Sequence, residues 1–324
     1  MMDRYVWTHD VGNGRHGGTK ATRDCYDIAE EMGWIRFDTT LSGGPATRVR
    51  RLYHILSELM RVDRSSTFLL QTPVYGIGNQ LIAYFIALRF KTITIIHDID
   101  RLRGQTSNIS EHIPRLSQVW ISSGKLAEHV QVPPGAGRDV RTLMIWDYLI
   151  PDFRGPANCG IDGPVIFAGN LDPGKVSWLY NPTIHRPPLQ LYGVNHDVER
   201  LRAGDTYVSS FDPDKPRFQE PVGWGLVWDG AKTGTDDAGS DYESINQPHK
   251  LSLYLACGIP VIVWAKSHIA SFVTERGVGI CIENLSDLHQ AIKRIDSIQY
   301  SEILKSTATI SKELRDGNFL KKLL

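Results

Sequence analysis

The chain has 324 residues, which is enough for two domains of ordinary size. Its 36 Lys and Arg residues balance its 36 Asp and Glu residues, so global charge gives no argument for a nucleic-acid-binding protein. Hydrophobic residues make up 41% and charged residues 22% of the sequence, which is typical of a globular protein.

The cysteines are far apart in the sequence, at Cys25, Cys159, Cys257 and Cys281. They form no C-x-x-C pair, so the sequence indicates neither a zinc site nor a disulfide framework. The chain begins almost directly with a predicted strand, without the pattern of a signal peptide, and no apolar run is long enough to span a bilayer. We therefore expect a cytoplasmic protein.

A glycine-rich loop follows the first predicted strand, residues 5–8. It contains a G-x-G-x-x-G pattern, and a helical pattern over residues 19–32 and a second strand ending in Asp38 come next. This context is the one required of a dinucleotide-binding fingerprint, so an NAD-dependent oxidoreductase is one hypothesis. The glycines equally suit any strand-to-helix loop at which a ligand approaches the backbone. The glycines of this G-x-G-x-x-G pattern are Gly12, Gly14 and Gly17.

Strands and helices continue to alternate along the first half of the chain. Helices are predicted over residues 47–61 and 78–89, and strands over residues 67–73, 91–98, 118–123 and 141–146. The alternation predicts a mostly parallel sheet with right-handed crossovers. His97 and Asp98 end one of these strands, at the sheet edge where ligands bind in open α/β folds. We assign the arginines of the 47–61 helix to a solvated face.

A second alternation follows a Pro- and Gly-rich linker at residues 151–163. Two doubly wound units predict an α/β fold in which two Rossmann-like domains face each other across a cleft. The predicted domains are residues 1–152 and 163–306, with a C-terminal helix at 307–324 that can cross back to the first domain. The strands are predicted at 165–168, 189–192, 225–228, 260–264 and 278–282, and the helices at 198–202, 248–257, 268–275, 285–295 and 301–324.

The most informative stretch is residues 246–264, which predict a helix, a sharp stop and a buried strand. Asn246 is expected to cap the helix, Pro248 to lie in its first turn, and Gly258 to end it in a left-handed conformation. A helix start favours an anion, and Lys250 adds a full positive charge there. The polar segment just before it, residues 229–245, fits both a mobile surface loop and a lid over a ligand.

Several short motifs are distributed along most of the chain. They are Gly223-Trp-Gly-Leu-Val-Trp228, Pro248-His-Lys250, Leu255-Ala-Cys-Gly-Ile-Pro-Val-Ile-Val263, Gln71-Thr-Pro73, Ile96-His-Asp98, Met144-Ile-Trp-Asp147, Phe167-Ala-Gly-Asn170 and Asp212-Pro-Asp214. Together they resemble the motifs of the glucosyltransferase 3-like family, which includes β-1,6-galactofuranosyltransferases. The resemblance implies a GT-B fold, a UDP-sugar donor, no cofactor, no catalytic metal and a homo-oligomer.

Asp98-Ile-Asp100 spells the D-x-D pattern of metal-dependent GT-A enzymes. We interpret it as coincidental, because the pattern is short and lies in the wrong half of a chain with two units.

The resemblance also implies which residues meet the donor. Lys175 stands where family members carry Arg, and a lysine contacts phosphate as a point charge rather than through a planar fork. Phe211 stands where a Tyr is expected, which keeps the ring and loses the hydroxyl. The other residues placed at the donor are Gly17, Thr19, Gly169, Asn170, Pro248, His249, Lys250, Leu251, Ser252 and Leu253.

The implied reaction moves a hexosyl group, galactofuranose or glucose, from a UDP-sugar to a hydroxyl of a glycan or lipid-linked glycan acceptor. An inverting transfer needs a base for that hydroxyl, and His16 and Asp98 are the candidates. The expected setting is bacterial surface polysaccharide or glycoprotein assembly, with peripheral association at the inner face of the membrane. A non-catalytic sugar-nucleotide-binding subunit and an NAD enzyme remain as alternatives.

Overall fold

The computed structural model describes residues 2–9, 17–103, 109–130, 139–228, 245 and 247–324. The chain divides into two compact units. The first unit contains Met1–Gly14, Thr22–Leu143 and Leu320–Leu324, and the second contains Arg15–Ala21 and Met144–Phe319. Each unit has one sheet whose six described strands all pair in parallel.

The sheet of the first unit has the strand order β2–β1–β3–β4–β5–β6. Its central strands are buried on both faces, which explains their continuous apolar sequences. The strands are β1 (Arg4–Thr8), β2 (Ile35–Asp38), β3 (Thr67–Thr72), β4 (Lys91–Ile96), β5 (Val119–Ser122) and β6 (Asp139–Thr142). The helices are α1 (Gly17–Glu31), α2 (Pro45–Arg61), α3 (Ile77–Arg89), α4 (Ile113–Leu116) and α5 (Gly124–Glu128), with 3₁₀ turns at Asp100–Arg103 and Ile109–His112. The first residues of α1, up to Ala21, are grouped with the second unit.

The sheet of the second unit has the order β12–β11–β10–β7–β8–β9. Its strands are β7 (Val165–Asn170), β8 (Leu189–Val194), β9 (Thr206–Ser209), β10 (Trp224–Val227), β11 (Val261–Trp264) and β12 (Gly279–Ile282). The helices are α6 (His249–Ala256), α7 (Ala270–Arg276), α8 (Leu288–Lys293), α9 (Ser297–Arg315) and α10 (Asn318–Lys321), with 3₁₀ turns at Ser177–Tyr180 and Leu285–Asp287. No described helix has the length and apolarity needed to cross a membrane.

Two sequence predictions of local structure were wrong. The strand predicted over 141–146 ends at Thr142, because the carbonyls of Met144 and Trp146 accept hydrogen bonds from side chains near α6 rather than from another strand. The helix predicted over 198–202 is a turn, in which Asp197 Oδ1 accepts from the backbone N–H groups of Glu199 and Arg200. Strand β9 was not predicted.

The start of α6 also differs from its prediction. Pro248 has an extended backbone (φ −70°, ψ 132°) and is the N-cap, so the helix begins one residue later at His249. Asn246, the predicted cap, lies outside the described residues. Gly258 ends the helix with φ +78°, as predicted. A Cβ atom there would lie 2.7 Å from Pro156 Cβ, so glycine is required by both conformation and space.

A buried ion pair lies beneath β8 in the second unit. Arg186 donates from Nη1 to Asp205 Oδ1 (2.8 Å) and from Nη2 to Asp205 Oδ2 (2.6 Å), and both side chains are almost fully buried. Asp205 Oδ1 also accepts from Leu189 N at the start of β8 (2.9 Å), and Arg186 Nη2 donates to Leu179 O (3.1 Å). The pair therefore holds two loops against the first residue of the strand.

Candidate functional site

The site in the second unit is built on the start of α6. Its N-cap residue, Pro248, has no side chain that can accept from the first-turn amides. The first amides of an α-helix lack the carbonyl partners that later turns have, and the helix dipole adds partial positive charge at the same end. Here Leu251 N donates back to Pro248 O (3.1 Å). The carboxyl end of α6 is anchored, because Ala256 O accepts from Ser311 Oγ and Arg315 Nη1, both at 2.8 Å. The start of α6 therefore has the partial positive charge that favours an anion.

Lys250 lies over the end of β7, next to the predicted Gly169–Asn170 pair. A Cβ atom placed on Gly169 would be 3.4 Å from Lys250 Cε, so the lysine stem runs along the glycine backbone. Its Nζ lies 5.3 Å from the centre of the Phe167 ring. The carboxyl end of a strand in a parallel sheet and the start of a helix thus meet at this ammonium group, in the arrangement that binds ligands in open α/β folds.

His249 is the first residue of α6, and its environment keeps it uncharged at neutral pH. Burial, reinforced by the positive charge of Lys20, lowers the pKa of His249 to about 4. The ring stacks on Trp146 with centroids 5.8 Å apart. Among the described residues neither ring nitrogen has a hydrogen-bond partner, although both are shielded from water. A neutral imidazole offers one N–H donor and one acceptor, so a bound polar group can satisfy it.

Lys20, in the first turn of α1, is a buried cation of the second unit. Its Nζ donates to Leu149 O (2.7 Å), pairs with Asp214 Oδ1 (3.0 Å) and lies 5.1 Å from the centre of the Tyr148 ring. Asp214 belongs to the Asp212-Pro-Asp214 motif noted in the sequence. The first turn of α1 therefore brings a positive charge near His249, with Thr19 buried beside it.

The loop after β7 carries Asn170 and Lys175. Asn170 Oδ1 accepts from Asp172 N (3.0 Å) and Asn195 Nδ2 (3.1 Å), so this side chain shapes the loop. Asp172 then organises the next turn, accepting from Gly174 N through Oδ1 and from Lys175 N through its carbonyl, both at 2.8 Å. The Lys175 side chain is exposed on that turn. Its charge is available to a ligand that extends along the loop.

Phe211 belongs to an aromatic cluster at the ends of β8 and β9. Its ring meets Phe218 edge-on at 5.2 Å and Tyr192 at 6.2 Å, and Phe218 continues the cluster to Tyr254 of α6. The Tyr254 hydroxyl accepts from Ala168 N (2.7 Å), which ties α6 to β7. Phe211 is only partly buried, so one part of the ring packs and another part faces outward.

The remaining predicted donor residues differ in what they can offer. The side chains of Leu251, Ser252 and Leu253 are buried, and Ser252 Oγ donates to Trp146 O at 2.7 Å. Their side chains thus hold α6 in place, which leaves the helix start to Pro248, His249 and Lys250. Gly17 is the first residue of α1.

The two candidate bases were predicted from the first half of the chain. His16 lies outside the described residues, as do Gly12, Gly14 and loop residues 229–244. Asp98 lies in the first unit at the end of β4, where its Oδ1 accepts from Ile99 N (2.8 Å). It lines a pocket together with Thr72, Glu111, Arg115 and His129.

Two other motifs of the first unit, Gln71-Thr-Pro73 and Asp98-Ile-Asp100, contain side chains that hydrogen-bond to neighbouring residues. Gln71 Nε2 donates to Thr22 O (3.1 Å), so its Oε1 accepts from His97 Nε2 (2.6 Å) and fixes the proton on that nitrogen. Asp100 is buried and accepts from the Tyr75 hydroxyl (3.0 Å). Within the described ranges, no group of three His, Cys, Asp or Glu residues is placed to hold a metal ion.

Sequence reasoning missed Lys20 and Trp146. Lys20 is adjacent to the predicted Thr19, yet a lysine in an amphipathic helix normally signals a solvated position. Trp146 lies in the recognised Met144–Asp147 motif, but its predicted strand gave no reason to expect a ring stacked on His249. Both roles depend on residues more than a hundred positions away in the chain, which local patterns do not encode.

We predict that His249 makes stability fall at acidic pH. Its folded pKa of about 4 is below the ordinary 6.5, so the unfolded chain binds the extra proton as pH falls between these values. The expected loss is about 3 kcal/mol between pH 7 and pH 4. Urea unfolding of His249→Phe should show a correspondingly shallower pH dependence than wild type. His289→Phe, at an exposed histidine, is the control, and equal slopes for all three proteins would contradict the assignment.

Comparisons with known proteins cover both units. Family models described as "Glucosyltransferase 3-like" match residues 5–130 (N-terminal domain) and 165–324 (C-terminal domain). The chain is 27% identical to the β-1,6-galactofuranosyltransferase WbbI of Escherichia coli, over 96% of this chain and 94% of that protein. It is 24% identical to glucosyltransferase 3 of Streptococcus gordonii, over 94% and 92%. Sucrose-phosphate synthase from Thermosynechococcus elongatus shares the fold, with a TM-score of 0.64, 12% identity, and coverage of 100% and 97%.

Proposed function

The chain belongs to the glucosyltransferase 3-like family and has the GT-B fold, and from this premise we propose that it is a UDP-sugar-dependent hexosyltransferase. The transferred group is galactofuranose or glucose, as in the names of the two relatives. The acceptor is a hydroxyl of a glycan or lipid-linked glycan in bacterial surface polysaccharide or glycoprotein assembly. The observation that carries the proposal is Lys250, held against Gly169 at the start of α6.

A nucleoside diphosphate fits this site for electrostatic reasons. A pyrophosphate carries charge that the first-turn amides, the helix dipole and the Lys250 ammonium all favour. The Lys175 side chain extends the positive field along the loop after β7. His249 remains neutral, so its N–H can donate a hydrogen bond to the ligand without titrating near pH 7.

These positive charges favour transfer of the hexosyl group, because they stabilise the diphosphate that leaves. The acceptor oxygen forms a bond to the anomeric carbon, the bond from that carbon to the diphosphate oxygen breaks, and the acceptor proton passes to a base. The electron pair of the broken bond stays on UDP, whose growing charge is stabilised by Lys250 and the helix start. In the inverting, metal-independent reaction that we propose, the base is His16 or Asp98.

A titration calorimetry experiment tests the donor class. We expect the wild-type protein to bind UDP and Lys250→Met to bind it more weakly, while NAD gives no heat. Release of UDP from donor plus short glycan acceptors, measured across a panel of UDP-sugars, then distinguishes an enzyme from a binding subunit, and it should persist in excess EDTA. NAD binding without UDP binding would instead favour the oxidoreductase suggested by Gly12, Gly14 and Gly17.

A further inference from the structure

Helix α3 carries an apolar stripe on the face that points away from its sheet. Ile77, Leu81, Tyr84 and Leu88 are spaced by four, three and four residues, which places them on one side of the helix. Their exposed fractions are 79%, 50%, 38% and 62%, whereas Ile82, Ala83, Ile86 and Ala87 on the opposite side are buried. Four large apolar side chains aligned on a solvent-facing stripe indicate an interaction surface rather than scattered exposure.

Helix α2 continues this surface with both apolar and basic side chains. Val49, Tyr53 and Met60 are exposed, by 68%, 76% and 54%, and lie beside the partly buried Leu56 that packs on the core. Arg50 and Arg61, eleven residues apart, fall on one row at the outer border of this stripe. Apolar residues bordered by arginines are typical of helices that lie in a membrane interface.

The two helices are fastened side by side at their carboxyl ends. Arg89, the last residue of α3, donates from Nη2 to Met60 O (2.9 Å) and from Nε to Leu59 O (3.3 Å) at the end of α2. The side chains at positions 55 and 59 of α2 and at 82 and 86 of α3 belong to one core cluster under the helices. The two stripes therefore form a single surface of the first unit, which we call the α2–α3 face.

We propose that the α2–α3 face docks on an anionic lipid bilayer. Its two helices contain five arginines and a single acidic residue, Glu58, although the whole chain has no net charge. Pairing two copies of this face about a two-fold axis would place arginine rows of the same sign against each other. Anionic headgroups complement the arginines, and the apolar side chains can enter the boundary between headgroups and acyl chains.

The proposal is tested by vesicle flotation of the full chain, which requires no turnover and no knowledge of the donor. We expect the protein to float with phosphatidylcholine vesicles that contain phosphatidylglycerol, to float poorly with phosphatidylcholine alone, and to be released by high salt. Arg50→Glu combined with Arg61→Glu should weaken partitioning at least 25-fold, because each basic residue contributes about a fivefold factor. Leu81→Asp combined with Leu88→Asp should remove the apolar contribution.

The matched control variants carry the same types of substitution at exposed positions outside the α2–α3 face. Lys293→Glu with Arg294→Glu makes the same change in charge at exposed positions of the second unit, and Ile298→Asp changes an exposed apolar residue of α9. These controls should partition like wild type, with all melting temperatures unchanged because the substituted side chains are exposed. The proposal is overturned if wild type ignores anionic vesicles or if the α2–α3 variants bind as well as the controls. It is also overturned if the leucine variant dissociates an oligomer without altering partitioning.

Discussion

Replacing Lys250 with methionine is expected to lower kcat/KM by about 10²–10³-fold, equivalent to roughly 3–4 kcal/mol of transition-state stabilisation. The ammonium group would otherwise balance charge that grows on the diphosphate as the glycosidic bond breaks. Methionine keeps an apolar stem along Gly169 and above Phe167, so it removes charge with little loss of packing. Steady-state kinetics of UDP release and calorimetry with UDP measure the two effects separately.

Two controls connect that loss to the site. Lys293→Met removes an exposed lysine from α8 and should leave kcat/KM unchanged. Lys250→Ala should be as inactive as Lys250→Met, with a melting temperature close to that of wild type, because the side chain is partly exposed. If Lys250→Met retains kcat/KM within a factor of three, the start of α6 does not bind the leaving diphosphate and the proposed function loses its main support.

Arg186→Met is expected to destabilise the protein by about 3–5 kcal/mol, the largest effect on stability that we predict. The substitution leaves the Asp205 carboxylate buried with Leu189 N as its remaining partner among the contacts described above. An uncompensated buried charge is costly because it has lost both water and its counter-ion. Urea unfolding at pH 7 measures the change in the free energy of unfolding.

A double-mutant cycle distinguishes pairing from lost packing. Arg186→Met combined with Asp205→Leu removes both charges, so its cost should be well below the sum of the two single substitutions. Lys312→Ala is the exposed control. Lys312 of α9 forms a solvated ion pair with Asp316, the C-cap residue of that helix, and loss of this pair should cost less than about 1 kcal/mol. Additive effects in the cycle would show that the two side chains act independently.

The alternation of apolar strands with helices is a local property, and most of it was read correctly from the sequence. Residues 261–264 form a parallel strand because their apolar run suits burial on both faces, and Gly258 ends α6 because glycine adopts the left-handed conformation readily. Short polar segments were read less well. The turn at Asp197 depends on hydrogen bonds to the Asp197 side chain, and strand β9 depends on pairing with the neighbouring strand β8. Neither feature produces a helical or alternating pattern of apolar residues in the sequence.

The candidate site shows the same division. The sequence by itself determined the alternating strands and helices of the two units and the family, and it predicted a helix start that carries Lys250, because each of these follows from a contiguous stretch of residues. Only the tertiary structure decided that Lys20 is buried against Asp214, that His249 is neutral on Trp146, and that α2 and α3 expose one apolar and basic face. Burial and charge environment are set by residues distant in sequence, so they arise only when the chain is folded.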